Sequence, residues 1–196
     1  SLPSGGSGAK LYVANPSPEK RAALSKNGAK ISEQVVIKCF TLDEGSNLSQ
    51  IVRESRALES AKRLGMVFEH GLDERRYYYV MPYVAGDNLS RISERMHAVA
   101  GSKGLSAKQT KQVLSFVGDV LTSLQRFHEG GLWHKDIKPD NIIIRNGRAH
   151  LVDLGLVTPL GSAMTLTTHG TEYFRDPELV RQALRGAKVQ DVDGAR

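Results

Sequence analysis

Two short motifs in the last third of the chain restrict its fold more than any other feature. Residues 134–141 read H-K-D-I-K-P-D-N, and residues 153–155 read D-L-G. Between them, apolar runs at 142–144 and 149–152 flank an Asn-Gly pair at 146–147, a strong signal for a type I′ β-hairpin. We therefore expect a polar loop that returns through a hairpin to a carboxylate at the end of the second strand.

The residue types in these motifs are those that phosphoryl transfer from a magnesium-bound nucleotide requires. Asp136 can accept the proton of an attacking hydroxyl, and Lys138 can neutralise the phosphoryl group during transfer. Asn141 and Asp153 supply oxygen ligands, which Mg²⁺ prefers. Each tripeptide alone is common in proteins, whereas the whole string at hairpin spacing is specific.

Composition narrows the class of protein and its partners. The 196 residues carry a formal charge of +6, and the basic residues are scattered, with mild concentration at 10–38 and 175–196. Solvated faces and attraction to nucleotides account for this charge, so we expect no nucleic-acid partner. No apolar run has membrane-spanning length, and no N-terminal signal pattern is present. The single cysteine, Cys39, excludes an internal disulfide framework and fits the reducing cytoplasm.

The order of predicted elements indicates a β-rich part followed by a helical part. Strands are expected at the end of 4–14 and at 34–40, 67–72 and 77–84, and a helix at 48–64. The segment 15–32 reads as a polar connection and 86–105 as mixed structure. This order predicts an α+β, two-lobed fold with a β-rich N-lobe at 1–84 and an α-rich C-lobe at 85–196.

The longest predicted helix lies in the second part. Ser106 and Gln109 form a capping-box signature that opens a helix running through His128. A second, short helix is expected at 177–185, after a loop rich in Gly, Ser and Thr at 154–173. The apolar positions expected to form the buried stripe of the long helix are Val113, Val117, Val120, Leu121, Leu124 and Phe127.

Taken together, the motifs resemble those of the Hanks-type (eukaryotic-type) serine/threonine protein kinases. The resemblance is collinear from a glycine-rich turn at 4–9 to Pro177-Glu178. It implies a two-lobed kinase fold, ATP and Mg²⁺ as ligands, and a serine or threonine of a protein as acceptor. Lys138-Pro139 and Gly170-Thr171 favour serine/threonine over tyrosine specificity.

The resemblance assigns a phosphate-binding lysine and its partner. Lys38, at the end of V-V-I-K, matches the strand lysine that contacts the α- and β-phosphates and pairs with a helix glutamate. Glu54 is the expected glutamate and Glu59 the alternative; Leu58, one turn after Glu54, favours Glu54.

The remaining nucleotide contacts also follow from the resemblance. Backbone groups of Pro82 and Val84 would bind adenine, and Met81 occupies the gatekeeper position. The glycine-rich pattern is irregular, because only Gly6 of its three glycine positions is glycine. The full implied set is Gly6, Ala9, Leu11, Val36, Lys38, Met81, Pro82, Val84, Ile143 and Asp153, with Leu11, Val36 and Ile143 enclosing the adenine ring.

Several positions depart from the family pattern. Lys135 replaces an arginine, Leu154 replaces a phenylalanine, and Asp176 replaces an alanine. Lysine cannot grip a loop phosphate in the bidentate way that arginine does, which bears on regulation by phosphorylation. Candidate phosphorylation sites are Thr165, Thr167 and Thr168.

Two other functions compete with an active protein kinase. A pseudokinase that serves as an interaction module would fit the irregular glycine-rich turn, although Lys38, Asp136 and Asp153 are all present. A small-molecule phosphotransferase would lack the K-P-x-N and G-T-x-Y-x-x-P-E segments found here. We also expect the chain to be a fragment that stops near the family's central large-lobe helix, and therefore to be weakly stable and weakly active alone.

Overall fold

The computed structural model describes residues 9–25, 31, 33–42, 48–73, 75–153, 157–159 and 174–188 of the chain. Contacts divide the chain into two compact units, residues 1–83 and 84–196. The first is built mainly on a β-sheet and the second mainly on helices, so the predicted α+β class is confirmed. Among the described residues, no helix is long and apolar enough to cross a membrane.

In its described residues, the first unit is a four-stranded antiparallel sheet with two helices. The strand order is β1-β2-β4-β3, so the edges of the described sheet are the first and third strands. Its elements are β1 (Lys10–Ala14), α1 (Pro18–Ser25), β2 (Val35–Thr41), α2 (Leu48–Arg63), β3 (Glu69–Asp73) and β4 (Arg76–Pro82).

Helix α1 corrects the prediction of a polar connection at 15–32. The Ser17 side chain accepts a hydrogen bond from the Lys20 backbone N–H at 3.2 Å, and Pro18 is the first helical residue. Leu24 is the buried residue of this helix and packs against one face of the sheet, in a core with Val35, Phe68 and Val80. The helix has a single buried apolar residue, which is too weak a periodic signal to detect from sequence.

The second unit places two helices against small sheets. Its elements are β5 (Asp87–Asn88), α3 (Leu89–Ala100), α4 (Ala107–Glu129), β6 (Leu132–Trp133), β7 (Ile142–Arg145), β8 (Arg148–Leu151), β9 (Thr158–Pro159) and α5 (Pro177–Leu184). Strands β5, β7 and β8 form one sheet, and β6 pairs with β9. The hairpin prediction is confirmed, because Asn146 and Gly147 have φ of 51° and 73°, as a type I′ turn requires.

Helix α4 starts at the predicted capping box, in which Ser106 and Gln109 bond reciprocally. Its buried stripe is narrower than expected. Phe116 and Phe127 are the buried residues, and Phe116 packs with Ile142 and Ala149 of the hairpin. Val117 and Leu121 were wrongly expected to be buried, since 49% and 60% of their surfaces are exposed. The hairpin covers only one side of the helix, whereas the apolar residues extend around two.

Candidate active site

The loop between β6 and β7 brings three predicted catalytic residues into contact. The Asn141 amide nitrogen donates to the backbone carbonyl of Asp136 at 2.9 Å and to its carboxylate Oδ2 at 3.0 Å. The Lys138 ammonium lies 3.3 Å from the same oxygen. Asp136 and Lys138 retain 14% and 23% side-chain exposure, so both are sheltered yet reachable. A carboxylate with one cation and one amide beside it suits a positioned proton acceptor.

Asp153 is held next to this loop by the backbone. The Val152 N–H donates to the Asn141 carbonyl at 2.8 Å, which ties the residue before Asp153 to the residue that ends the loop. Asp153 has φ of 71°, and Lys135 has φ of 61°. Left-handed backbone is unusual for residues other than glycine and is concentrated at functional sites.

The donor set of Asn141 and Asp153 fits a hard divalent cation. Because the Asn141 amide nitrogen donates to Asp136, the amide oxygen Oδ1 is the atom left to coordinate a cation. Asp153, the residue after Val152 in the adjacent chain segment, carries a carboxylate that could supply a second oxygen. Two protein oxygens are a suitable set for Mg²⁺, which usually completes its shell with waters and substrate phosphates. Among the described residues, no group of three or more His, Cys, Asp or Glu side chains could hold a metal ion.

His134 lies beneath the loop and is 1% exposed. Its Nδ1 accepts from the Asp136 backbone N–H at 3.3 Å, and its Nε2 lies 3.4 Å from the Val152 carbonyl. These partners assign the proton to Nε2. Burial lowers the pKa of His134 below its ordinary value of 6.5, against the opposing charges of Asp153 and Asp136. The neutral ring therefore connects the Asp136 segment to the Asp153 segment.

Lys38 and four predicted nucleotide contacts meet on one face of the first unit's sheet. Leu11 pairs in register with Lys38, and Val36 pairs with Met81. Antiparallel register partners project to the same side, so these four side chains share a face, together with Ala9 by alternation. Lys38 is 3% exposed, and its ammonium lies 5.4 Å and 5.8 Å from the ring centroids of Phe40 and Tyr79. The aromatic faces provide favourable surroundings for a buried cation.

Two glutamates were considered as the partner of Lys38. Glu59 lies in α2 with its carboxylate 3.3 Å from His70 Nε2, and 69% of its side chain is exposed. Glu54 lies in the same helix, but its side chain falls outside the described part of the structure. The pairing of Lys38 with Glu54 therefore stays a prediction.

The other predicted contacts are distributed over both units. Pro82 ends β4, and Val84 begins the second unit. Ile143 lies in β7, half-buried. Gly6, Leu154, Thr171 and the candidate phosphorylation sites Thr165, Thr167 and Thr168 fall outside the described residues.

Asp176, which departs from the family pattern, has a local role. Its carboxylate accepts from the Glu178 backbone N–H at 2.8 Å and caps helix α5, whose first residue is Pro177. An alanine at this position could not make that bond. Glu178 contacts Arg181 of its own helix at 2.7 Å.

Comparison with known proteins identifies the family. The family model described as "Protein kinase domain" matches residues 24–192, which is most of the chain. The chain belongs to the protein kinase family. It is similar to the serine/threonine-protein kinase PrkC of Bacillus subtilis, with 26% identity over 171 residues, 83% of this chain and 25% of PrkC. The MAP kinase kinase MKK1/SSP32 of Saccharomyces cerevisiae is 30% identical over 162 residues, 80% of this chain and 30% of that protein.

A third relative is the serine/threonine-protein kinase pakA of Talaromyces marneffei, 28% identical over 163 residues, 79% of this chain and 23% of pakA. These matches confirm the resemblance to Hanks-type serine/threonine kinase catalytic domains. The chain spans about a quarter of the length of these relatives.

One positioning residue of this kinase domain was missed by sequence reasoning. Asp119 of α4 accepts from the Ala149 backbone N–H at 2.9 Å and from Arg148 Nε at 3.1 Å. These bonds attach the turn end of the β7–β8 hairpin to the helix. The signal in the sequence was a lone acid among the apolar positions 116–121 of the helix, which indicates a side chain that needs a partner.

Proposed function

We propose that this kinase domain transfers the γ-phosphoryl group of Mg-ATP to a serine or threonine hydroxyl of a protein substrate. The observation that carries the proposal is the contact of the Asp136 carboxylate with both Lys138 and Asn141. A proton acceptor, a cation and a metal-ligand amide within one loop are the parts that phosphoryl transfer uses.

Asp136 accepts the proton of the attacking hydroxyl in this proposal. Asn141 holds both the carboxylate and the backbone carbonyl of Asp136, which limits the orientations open to the acceptor. Lys138 places a positive charge 3.3 Å from that carboxylate, where it can also attract the transferring phosphoryl group. A neutral His134 supports the loop without adding charge to the site.

Asn141 and Asp153 would hold Mg²⁺ through oxygen ligands. When bound, Mg²⁺ neutralises charge on phosphate oxygens. The support for this assignment is the amide orientation of Asn141 together with the Val152–Asn141 backbone bond, which keeps the two ligand-bearing segments adjacent.

Lys38, paired with Glu54, would bind the α- and β-phosphates. Glycine-rich residues 4–9 with Gly6 and Ala9, the adenine contacts Leu11, Val36 and Ile143, and the hinge residues Met81, Pro82 and Val84 complete the proposed ATP site. The support is the shared sheet face of Leu11, Val36, Lys38 and Met81. The lone cysteine fits a cytoplasmic location for this enzyme.

The decisive experiment is single-turnover phosphoryl transfer with Mg-ATP. We expect Asp136→Ala to reduce the rate by about a hundredfold or more, on the scale of general-base catalysis. Asp153→Asn should abolish transfer and remove the Mg²⁺ dependence of ATP binding. Asp140→Asn, which changes an exposed acid of the same loop, is the matched control and should change neither.

Two results would contradict the proposal. Transfer by Asp136→Ala or Asp153→Asn at the rate of the unchanged chain would remove these residues from the mechanism. ATP binding without any transfer in the unchanged chain would favour the pseudokinase alternative.

The partner of Lys38 can be settled by a matched pair of variants. We expect Glu54→Gln to weaken ATP-dependent transfer by about tenfold or more, since charge-assisted pairs contribute roughly 1.5–3 kcal/mol. Glu59→Gln should have little effect, because Glu59 contacts His70 and is mostly exposed. The reverse order of effects would show that the helix presents Glu59 to the site.

A further inference from the structure

A concave surface lies in the first unit, separate from the residues assigned above. It is a cleft of about 620 Å³ lined by Lys10, Tyr12, Cys39, Thr41, Arg75 and Arg76. We call it the cationic cleft, because three of the six lining residues that the structure describes are basic and none of these six is acidic.

The cationic cleft occupies the opposite face of the sheet from Lys38. Lys10 pairs in register with Cys39, and Thr41 pairs with Arg76. Cys39 is the next residue after Lys38 in β2, so its side chain projects to the other side. A ligand in the cleft would therefore not occupy the face that carries the proposed phosphate-binding lysine.

The basic side chains of the cleft form no ion pair in the part of the chain that the structure describes. Lys10, Arg75 and Arg76 are exposed, in contrast to Lys20, which bonds Glu69 at 2.7 Å on β3. Asp73 is the register partner of Arg76, yet no ion pair joins their side chains. The Leu42 N–H donates to the Arg75 carbonyl at 2.6 Å, which fixes the backbone of the arginine pair. Three like charges that line one cleft attract an anion.

We propose that the cationic cleft binds a phosphorylated serine or threonine side chain of a partner protein segment. A phosphoryl group carries a charge of about −1.5 to −2 at neutral pH and three acceptor oxygens, which suits two guanidinium groups and an ammonium. The volume is in the range of small-ligand pockets, about 300–1,000 Å³. The half-exposed ring of Tyr12 supplies an apolar wall for the peptide beside the phosphate.

The placement of the three basic residues around a single cleft favours a phosphorylated side chain over a nucleic acid as the ligand. Binding to a nucleic-acid backbone uses a track of basic residues that neutralises many phosphates. Here the three charges converge on one cleft, which matches one phosphoryl group. Recognition of single phosphorylated side chains by arginine clusters is an established mode of peptide binding.

Cys39 allows the occupancy of the cleft to be measured locally. It is the only cysteine of the chain and is partly exposed in the cleft wall. The experiment follows the rate at which a disulfide reagent modifies Cys39, while a fluorescent phosphoserine peptide with Gly and Ala flanks is titrated. We expect the peptide to bind and to slow the modification, whereas its unphosphorylated form does neither.

Matched variants connect binding to the basic residues. Arg75→Gln with Arg76→Gln should weaken binding by about tenfold or more, since the phosphoryl group loses its charge-assisted hydrogen bonds to both guanidinium groups. The control, Arg56→Gln with Arg145→Gln, removes the same charge from exposed sites elsewhere and should bind as the unchanged chain does. Circular dichroism checks that each variant is folded, and Arg75→Lys with Arg76→Lys keeps the charge and should retain part of the affinity.

Each alternative outcome contradicts the proposal. Equal losses in the cleft and control variants would show nonspecific attraction to a basic protein. Cys39 protection by inorganic phosphate as strong as by the peptide would show a simple anion site. Binding only to single-stranded DNA or to phosphatidylserine vesicles would assign the cleft to another class of partner.

Discussion

His134 shows at the scale of one residue how the loop between β6 and β7 depends on a buried ring. Its two nitrogens contact the Asp136 N–H and the Val152 carbonyl, and Phe127 packs edge-on against it at 5.1 Å between centroids. Only the neutral ring, with one donor and one acceptor, can satisfy both polar partners. The motif H-x-D thus begins with a histidine that connects two chain segments, and the proposed proton acceptor, Asp136, lies two residues later.

This arrangement predicts a pH dependence of folding. The pKa of His134 is lowered in the folded state by burial, so below about 6.5 the unfolded chain binds a proton that the folded chain resists. Above that pH the effect of His134 on the free energy of unfolding is constant. Below it the free energy of unfolding should decrease as the pH falls, because of this group, with a limiting slope of about 1.4 kcal/mol per pH unit.

Urea denaturation of the unchanged chain and of His134→Gln over this pH window measures the effect. The amide of glutamine can offer a donor and an acceptor but does not titrate, so this component should be absent in the variant. If the free energy of unfolding depended on pH in the same way in the two proteins, the pKa of His134 would not be lowered by folding, and the prediction would be wrong.

At the scale of elements, Asp119 joins the long helix to the hairpin. It accepts hydrogen bonds from the Ala149 N–H and Arg148, which lower the pKa of its carboxyl below the ordinary range. Phe116 of the helix packs against Ile142 and Ala149 of the hairpin, and the Val152–Asn141 backbone bond holds the other end of the hairpin. The hairpin is thereby fixed to α4 near its turn and to the loop between β6 and β7 at its base.

We predict that Asp119→Ala destabilises the chain by about 1–3 kcal/mol, because the partly buried Ala149 N–H loses its acceptor. The substitution should also increase the rate of amide hydrogen exchange in β7 and β8 more than in the first unit's sheet. Hydrogen exchange with mass spectrometry measures both, and Asp140→Asn is the control with an exposed acid. Exchange raised equally in both units would mean that the loss is global and that Asp119 does not act on the hairpin.

Elements with strong local signals were predictable, and those that depend on tertiary contacts were not. The capping box of α4 and the Asn-Gly turn are encoded within a few residues and were found as predicted. Helix α1 was missed because it carries only one buried leucine. The burial of Phe116 was also not predictable, because it depends on a hairpin about 30 residues later in the chain. The sequence could predict the cluster of Asp136, Lys138 and Asn141 because all three lie in one loop. It could not predict the role of Asp119, which bonds to Ala149, 30 residues later in the chain.

At the scale of the whole chain, the described residues leave an apolar stripe on α4. Leu114, Val117 and Leu121 follow a helical spacing of three and four, and 64%, 49% and 60% of their surfaces are exposed. Single exposed apolar residues are ordinary, but three on one helical face make a contiguous patch suited to association. The helix was expected to need partners on more than one side, and the hairpin supplies only one.

We therefore expect the 196-residue chain to self-associate through this stripe. Each leucine buried between copies contributes roughly 1.5–3 kcal/mol, so Leu114→Gln with Leu121→Gln should weaken association by more than about tenfold. The thermal midpoint should be unchanged, because these side chains are already in water. Sedimentation velocity over a concentration series measures association, with Val99→Gln as the control, since Val99 is 83% exposed on α3. If the double variant associates as strongly as the unchanged chain, or if Val99→Gln weakens association equally, the stripe is not the contact surface.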